Sequence, residues 1–147
     1  MDEDVSERRV VVGIDGSPSS YEALRWALHY AGLIGGVVDA VAVWDLPGLY
    51  GWSGPVVDMD VDEEESRRRM QAEMAEVLGP GATDSVRTHL VHGNTSGVLL
   101  RAAEGAEVLV VGSRGRGGFA SALLGSVSQH VAQHATCPVV IVRTTKE

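Results

Sequence analysis

The sequence VGSRGRGGFASALLGSVSQHV, from Val111 to Val131, holds five glycines among serines and arginines. The apolar run Val108–Gly112 leads into it and is typical of a strand buried on both faces of a parallel sheet. Ordering a glycine costs more backbone entropy than ordering any other residue, so a cluster of glycines indicates a close approach to the main chain. Successive amides in such a turn bind anions, and a following helix adds unpaired N–H groups. The stretch therefore predicts a phosphate-binding turn between a strand and a helix.

Short apolar runs and helical spacings alternate along the rest of the chain. The other runs that predict strands are Arg9–Ile14, Val37–Trp44, Ser85–Val91 and Pro138–Val142, the third of them nearest a sheet edge. The segments that predict helices are the one from Ser17-Pro18 to Gly35, Asp62–Leu78, one capped by Thr95 or Ser96 that runs through Glu104, and Ser121–Ala135. This alternation predicts an α/β fold, an open five-stranded parallel sheet with helices on both faces.

Length and composition bound the organisation of the chain. Its 147 residues suffice for one domain with a sizeable core, and no linker or break in composition divides them. We therefore expect a single domain over residues 9–143, between a flexible N-terminal tail, 1–8, and a C-terminal tail, 144–147.

Charge and cysteine usage exclude several classes of partner. The net charge of −8 argues against a nucleic-acid backbone or an anionic membrane surface, and 5% aromatics are too few for a base-stacking surface. Cys137 is the single cysteine, and the charged segment Met1–Arg9 lacks the apolar core of a signal peptide. We expect a cytoplasmic protein that binds no nucleic acid and no membrane.

Two strand ends carry the candidate ligand site. In sheets of this class ligands bind beyond the carboxyl ends of the strands, where the strand order reverses. The first predicted strand ends in Gly13-Ile14-Asp15-Gly16-Ser17, and the fourth leads into the glycine-rich stretch. Asp15 serves the ligand, or it caps the helix that follows or bonds the nearby glycine amides.

Two common phosphate motifs do not fit the glycine-rich stretch. A P-loop requires a lysine, and no lysine occurs between Val10 and Thr145. Gly115-x-Gly117-x-x-Ala120 matches the relaxed dinucleotide fingerprint, but it follows the fourth strand and no acidic residue ends the next one.

His130 and His134 have the spacing of two helical zinc ligands, without the glutamate or third ligand of that motif.

The fuller pattern, Gly112-x2-Gly115-x9-Gly125-Ser126, resembles that of the ATP-binding, single-domain members of the universal stress protein family. The opening VVVGIDGSPSSYEALRWAL and the closing CPVVIVR resemble the same family, so the likeness runs from about Arg9 to Arg143. The resemblance implies a Rossmann-like sheet of the adenine-nucleotide alpha hydrolase-like type, with strand order 3-2-1-4-5. It also implies ATP, with magnesium, bound across the ends of the first and fourth strands.

The resemblance and the glycine-rich turn together predict the nucleotide contacts. By resemblance Asp15 lies near the ribose or a phosphate-bound magnesium ion, and Val43 matches an adenine-contacting position. Arg114 and Arg116 either add charge to the phosphate site or are solvated loop residues. The predicted binding residues are Gly13, Ile14, Asp15, Val43, Val111, Gly112, Arg114, Gly115, Arg116, Gly117, Gly118, Gly125, Ser126, Val127 and Ser128.

Three functions remain open at this point. The first is an ATP-dependent regulatory module in a stress or dormancy response, read by an unidentified protein partner. The second is an enzyme, a slow ATPase or nucleotide transferase, although the sequence offers no phosphate lysine and no identifiable catalytic residue. The third is a nucleotide-free interaction protein. By resemblance we also expect a homodimer through the apolar strand Pro138–Val142, a sheet edge that water would otherwise meet.

Overall fold

Strands and helices alternate through the part of the chain that the structure, a computed structural model, describes: residues 7–44, 63–82, 84–113 and 124–143. The elements in chain order are β1 (Arg9–Ile14), α1 (Pro18–Ile34), β2 (Val37–Trp44), α2 (Glu63–Leu78), β3 (Val86–His92), α3 (Thr95–Ala102), β4 (Val108–Gly112), α4 (Ser126–His134) and β5 (Val139–Val142). None of the helices within these ranges is long and apolar enough to cross a membrane.

The five strands form one sheet in the order β3-β2-β1-β4-β5, and every neighbouring pair is parallel. The predicted architecture and the strand order implied by the resemblance are therefore confirmed. From β1 the chain moves outward through β2 to β3, whereas β4 and β5 lie on the other side of β1. The order thus reverses between β1 and β4, whose registered pairs include Val10 with Val108 and Val12 with Val110.

A hydrophobic core covers each face of the sheet. On one face Val10, Val12 and Ile14 of β1 pack with residues of α1 and with Met74 of α2. On the other face Val11 packs with residues of α3 and α4. Because side chains alternate along a strand, an apolar run as continuous as β1 is needed to supply both cores.

Local signals set the bounds of α1. The hydroxyl of Ser17 accepts a hydrogen bond from the amide of Ser20 at 3.1 Å, and Pro18 occupies the first turn, where an amide is not needed. Gly35 ends the helix with a φ of 69°, a left-handed conformation that favours glycine. The predicted start and stop of this helix are confirmed, as are the bounds of β1, β2 and β4.

The predicted cap of α3 is wrong by one or two residues. Asn94, rather than Thr95 or Ser96, is the N-cap, because its backbone is extended and its side chain accepts from the amide of Gly97 at 3.0 Å. The helix also ends at Ala102, before the predicted Glu104, because the main chain turns there and the amide of Ala106 donates to the carbonyl of Ala103.

The predicted start of α4 is also wrong. The helix begins at Ser126 instead of Ser121, and it ends at His134; residues 121–123 lie outside the described ranges. Gly125 is extended, and its amide donates to the carbonyl of Ser113 at 2.7 Å, so it cannot continue a helix from the preceding residues. Gly125 and Ser126 therefore lie at the start of the helix, not one to two turns inside it.

Smaller differences concern three other element ends. β3 runs one residue later than predicted, at Val86–His92, and its predicted place at a sheet edge is confirmed. β5 begins at Val139 because Pro138 has no amide to donate, although its carbonyl still accepts from Leu109 at 2.9 Å. α2 begins at Glu63, and Asp62 lies outside the described residues.

A buried carboxylate, not anticipated from the sequence, ties β3 to β2. Asp39 is 6% exposed and accepts from Arg87 through Nε at 2.7 Å and Nη2 at 3.1 Å. His89 Nε2 lies 3.0 Å from the same carboxylate, and Arg9 Nη1 lies 3.5 Å away. Burial alone would raise the pKa of Asp39, but the hydrogen bonds and charges of Arg87 and His89 hold it below the ordinary 3.8.

We predict that Asp39→Asn lowers the free energy of unfolding at neutral pH by about 1.5–3 kcal/mol, because the negative charge that accepts these hydrogen bonds is lost. A carboxylate with a lowered pKa stabilises the fold in full above its ordinary pKa of 3.8. That stabilisation is lost as the pH falls through the lower pKa of the folded state. The difference between variant and wild type in urea unfolding therefore shrinks at acid pH.

The control is Glu22→Gln, which removes an exposed carboxylate paired with Arg25 at 2.8 Å. Exposed pairs of this kind contribute little, so its free energy of unfolding should change by less than about 0.5 kcal/mol at either pH. Equal losses in the two variants, or a difference for Asp39→Asn that grows at acid pH, would contradict the account.

Candidate functional site

The candidate site lies at the carboxyl ends of β1 and β4, where a sheet with this strand order forms a crevice. These strands are neighbours, and the chain leaves them toward opposite faces of the sheet, through α1 and α4. Sheets of this class bind ligands where the strand order reverses in this way. The residues that follow the two strand ends are Asp15 and Ser113, and each begins a connection to a helix.

Asp15 stabilises the turn between β1 and α1. Its Oδ1 accepts from the amide of Ser17 at 2.9 Å, and its own amide donates to Ser20 Oγ at 3.3 Å. Gly16 between them has a φ of 83°, which a residue with a side chain rarely adopts. The N-cap of α1 is Ser17, so Asp15 supports the cap without being it. Asp15 is exposed, directly after the carboxyl end of β1.

Gly112 has a close neighbour within the protein. A Cβ at Gly112 would lie 2.7 Å from the carbonyl oxygen of Ser19 and 2.8 Å from its carbonyl carbon, and would also overlap Ser19 Oγ. The absent side chain therefore allows the first turn of α1 to lie directly on the end of β4. This explains the glycine by a contact between two elements of the fold, without reference to a ligand.

Gly13 is also close to a side chain of the fold. A Cβ there would lie 3.1 Å from Cδ1 of Leu99, on α3, and 3.7 Å from Val111. The space beside β1 is thus filled by the core on that face of the sheet.

The first turn of α4 presents main-chain N–H donors beside the carboxyl end of β4. Its N-cap is Gly125, which has no side chain to cap the helix, whereas α1 and α3 begin with side-chain caps. The first helical hydrogen bond runs from the amide of Gln129 to the carbonyl of Gly125 at 3.0 Å. The amides of Ser126, Val127 and Ser128 precede that bond, in the positions where a helix lacks internal acceptors.

Ser113 joins this turn to the sheet, although it is not among the predicted site residues. Its carbonyl accepts from the amide of Gly125 at 2.7 Å and from Ser128 Oγ at 3.2 Å. Its amide donates to the carbonyl of Val142, the last residue of β5, at 2.9 Å. The only sequence signal was its place directly after an apolar strand, which does not reveal bonds to partners far along the chain.

Most of the predicted site residues that the structure describes lie at the carboxyl ends of the strands, and they differ in how far they are exposed. Ile14 and Val111 are buried in the two cores, Val43 and Val127 are partly buried against the α3–α4 side, and Ser126 is exposed. Ser128 is buried and bonded within the protein. The predicted residues outside the described ranges are Arg114, Gly115, Arg116, Gly117 and Gly118.

Other candidate side chains have structural surroundings. His130 and His134 lie with their ring centroids 4.5 Å apart, but no group of three or more potential ligands among His, Cys, Asp and Glu occurs within the described residues. Burial raises the pKa of the Cys137 thiol, which packs against the α3–α4 core. Trp26 and Tyr30 stack on each other with centroids 5.1 Å apart.

The parallel sheet order, its reversal between β1 and β4 and the helices on both faces define a Rossmann-like α/β protein. Residues 7–143 match the model of the universal stress protein family, and the chain belongs to that family. A universal stress protein of Mycolicibacterium smegmatis is 39% identical over 139 residues, which is 91% of this chain and 45% of that protein. The chain spans about half the length of the curated relatives it matches.

Two solved structures are informative neighbours. A universal stress protein in complex with cAMP is 27% identical, with a TM-score of 0.64 over 96% of this chain and 100% of that one. A universal stress protein from Archaeoglobus fulgidus in complex with dAMP has a TM-score of 0.59 at 22% identity, over 95% of this chain and 99% of that one. At that identity the second comparison supports the shared fold alone.

Proposed function

We propose that this chain binds an adenine nucleotide, ATP, in the crevice between β1 and β4, and acts as a nucleotide-dependent regulatory module in a stress or dormancy response. The observation that carries the proposal is the first turn of α4, which starts from a glycine and is bonded to the residue after β4. The universal stress protein that binds cAMP, at 27% identity, supports an adenine nucleotide as the ligand.

Local dipoles, not overall charge, would hold the phosphates. The chain carries a net charge of −8, which repels an anion at long range. At a helix N-terminus the partial positive charge and the amides of the first turn contribute about 0.3–2 kcal/mol for a nearby negative charge. Ser126 and Val127 supply such amides here, and Arg114 and Arg116 follow β4 closely in sequence.

Asp15 and Val43 would hold the rest of the nucleotide. Asp15 is an exposed carboxylate at the rim of the crevice, suited to accept from a ribose hydroxyl or to bind a phosphate-bound magnesium ion. Val43 lies next to the carboxyl end of β2, partly buried, and offers an apolar surface to a base. Magnesium, when bound, would neutralise phosphate charge in an otherwise acidic protein.

Regulation is favoured over catalysis by the groups available. The single lysine is Lys146, outside the described residues, so a P-loop-like lysine contact is not supported. We expect nucleotide occupancy to be read by a protein partner, in the cytoplasm. A slow ATPase or nucleotide transferase at the same crevice is the alternative. Release of ADP and phosphate at about 1 per second or faster would favour an enzyme over a regulatory module.

Asp15→Asn tests the proposed site. The amide keeps an oxygen that can accept from Ser17 but removes the charge, so the turn is preserved while magnesium loses its ligand. We expect wild type to bind ATP in calorimetry, and the variant to bind magnesium–ATP about tenfold more weakly, a loss of about 1.4 kcal/mol. Without magnesium the two proteins should differ less.

Glu22→Gln, an exposed change of the same chemistry on α1, is the control and should bind ATP as wild type does. Circular dichroism and thermal melting report whether each variant is folded. Wild type that binds no ATP, or an Asp15→Asn variant with unchanged affinity in magnesium, would refute the assignment.

We also propose a homodimer in which β5 pairs with the same strand of a second copy. β5 is an edge of the described sheet, and all four of its residues are apolar and partly exposed. The carbonyl of Pro138 accepts from β4, and the carbonyl of Val142 accepts from the residue directly after β4, each at 2.9 Å. Because main-chain groups alternate in direction along a strand, the N–H and C=O of Val139 and Ile141 point away from β4. They are therefore available for an antiparallel contact around a two-fold axis.

A pair of variants at Ile141 separates main-chain pairing from side-chain packing. Ile141→Pro removes an outward amide and keeps the bonds to β4, so it should yield a monomer in light scattering at micromolar concentration. Ile141→Ala removes a comparable side chain and keeps the amide, so it should remain a dimer. Wild type that is monomeric at that concentration, or two variants with the same oligomeric state, would rule out pairing through β5.

A further inference from the structure

The hydroxyl of Ser128 is used inside the protein. Ser128 is among the predicted nucleotide-binding residues, yet it is only 2% exposed. Its Oγ–H is shared between two acceptors, the carbonyl of Gly125 at 3.0 Å and the carbonyl of Ser113 at 3.2 Å. A hydroxyl placed in this way connects the third residue of α4 to the end of β4.

We propose that Ser128 is a positioning residue for the nucleotide site, and that it acts by fastening the first turn of α4 to the carbonyl of Ser113. The inference rests on the proposed function, because it assigns Ser128 a role in ATP binding through the amides of Ser126 and Val127. It replaces a direct phosphate contact with an internal hydrogen bond.

A single acceptor, the carbonyl oxygen of Ser113, holds the first turn of α4 at two points. The carbonyl of Ser113 receives the amide of Gly125 at 2.7 Å and the hydroxyl of Ser128, so both ends of the first turn of α4 meet at the same oxygen. The amide of Ser113 donates to the carbonyl of Val142, so the residue that carries this oxygen is itself held at the end of β5. The direction of the first-turn amides is thereby set before a ligand arrives. Donors oriented in advance bind better, because less order must be imposed on binding.

Removal of the hydroxyl should leave the fold intact. In Ser128→Ala the carbonyl of Ser113 keeps the amide of Gly125, and the carbonyl of Gly125 keeps the amide of Gln129 at 3.0 Å. No buried carbonyl loses its last donor, which is the costly event when a hydrogen bond is deleted. The first turn of α4 loses only the second of its two attachments to Ser113.

The test compares ATP and adenosine binding in wild type, Ser128→Ala and Ser128→Thr. We expect Ser128→Ala to bind ATP about 3- to 10-fold more weakly while its adenosine affinity changes less than about twofold. Ser128→Thr restores the hydroxyl and should recover ATP affinity. Ser96→Ala, a matched change in the first turn of α3, should leave both affinities unchanged. The Tm of Ser128→Ala should fall by no more than about 4 °C.

Amide hydrogen exchange in the nucleotide-free protein separates positioning from direct contact. If Ser128 fastens the turn, the Gly125 amide exchanges about 3- to 10-fold faster in Ser128→Ala than in wild type, without ATP present. An unchanged Gly125 rate overturns the proposal, and this measurement decides even where Ser128→Thr fails to fold. Equal weakening of ATP and adenosine by Ser128→Ala, or a folded Ser128→Thr without recovery, also overturns it. Wild type that binds neither ligand refutes the proposed function instead, while the exchange result still reports on the attachment.

Discussion

The fold at the crevice depends on the contact between the end of β4 and the first turn of α1. A side chain at Gly112 would occupy the space of the Ser19 main chain, so the two elements can meet only where the residue has no Cβ. The next residue, Ser113, bonds through its carbonyl to the first turn of α4. Because α1 and α4 cover opposite faces of the sheet, two consecutive residues position helix N-termini on both sides of one strand end. The adjacent β1 end adds Asp15, whose carboxylate supports the turn into α1.

The same arrangement explains how an acidic chain could hold a phosphorylated ligand. The net charge of −8 offers no long-range attraction for phosphates. Amides and helix dipoles act over short distances and need no net charge, provided that the protein orients them in advance. The attachment of Gly125 and Ser128 to Ser113 provides such orientation for α4. Family membership and the cAMP-bound relative support the adenine nucleotide. The curated relatives are about twice as long as this chain, so the activity of a whole relative is no guide to it.

The sequence predicted the elements whose signals are local. β1, β2 and β4 are continuous apolar runs, and α1 is bounded by Ser17-Pro18 and Gly35, so each was placed to the residue. The prediction failed where a distant partner decides the structure. Residues 121–130, SALLGSVSQH, have a helical pattern throughout. The helix nevertheless begins only after Gly125, because the amide of Gly125 donates to the carbonyl of Ser113. Asn94, Thr95 and Ser96 are all capping residues, and only the backbone geometry selects Asn94. The Asp39 cluster depends on the register of β2 with β3, which places Asp39 beside Arg87 and was not visible in either strand alone.

A residue-resolved NMR titration of the wild-type protein with magnesium–ATP tests directly whether ATP binds between the ends of β1 and β4. Binding in the crevice predicts that the largest shifts of the described amides occur at Asp15 and Gly16 after β1 and at Ser126 and Val127 in the first turn of α4. The amides of Asp39 and Arg87, near the amino ends of β2 and β3, should stay almost unchanged and serve as an internal reference. Shifts concentrated around Asp39 and Arg87, with the β1 and α4 amides unmoved at saturating ATP, would contradict the account.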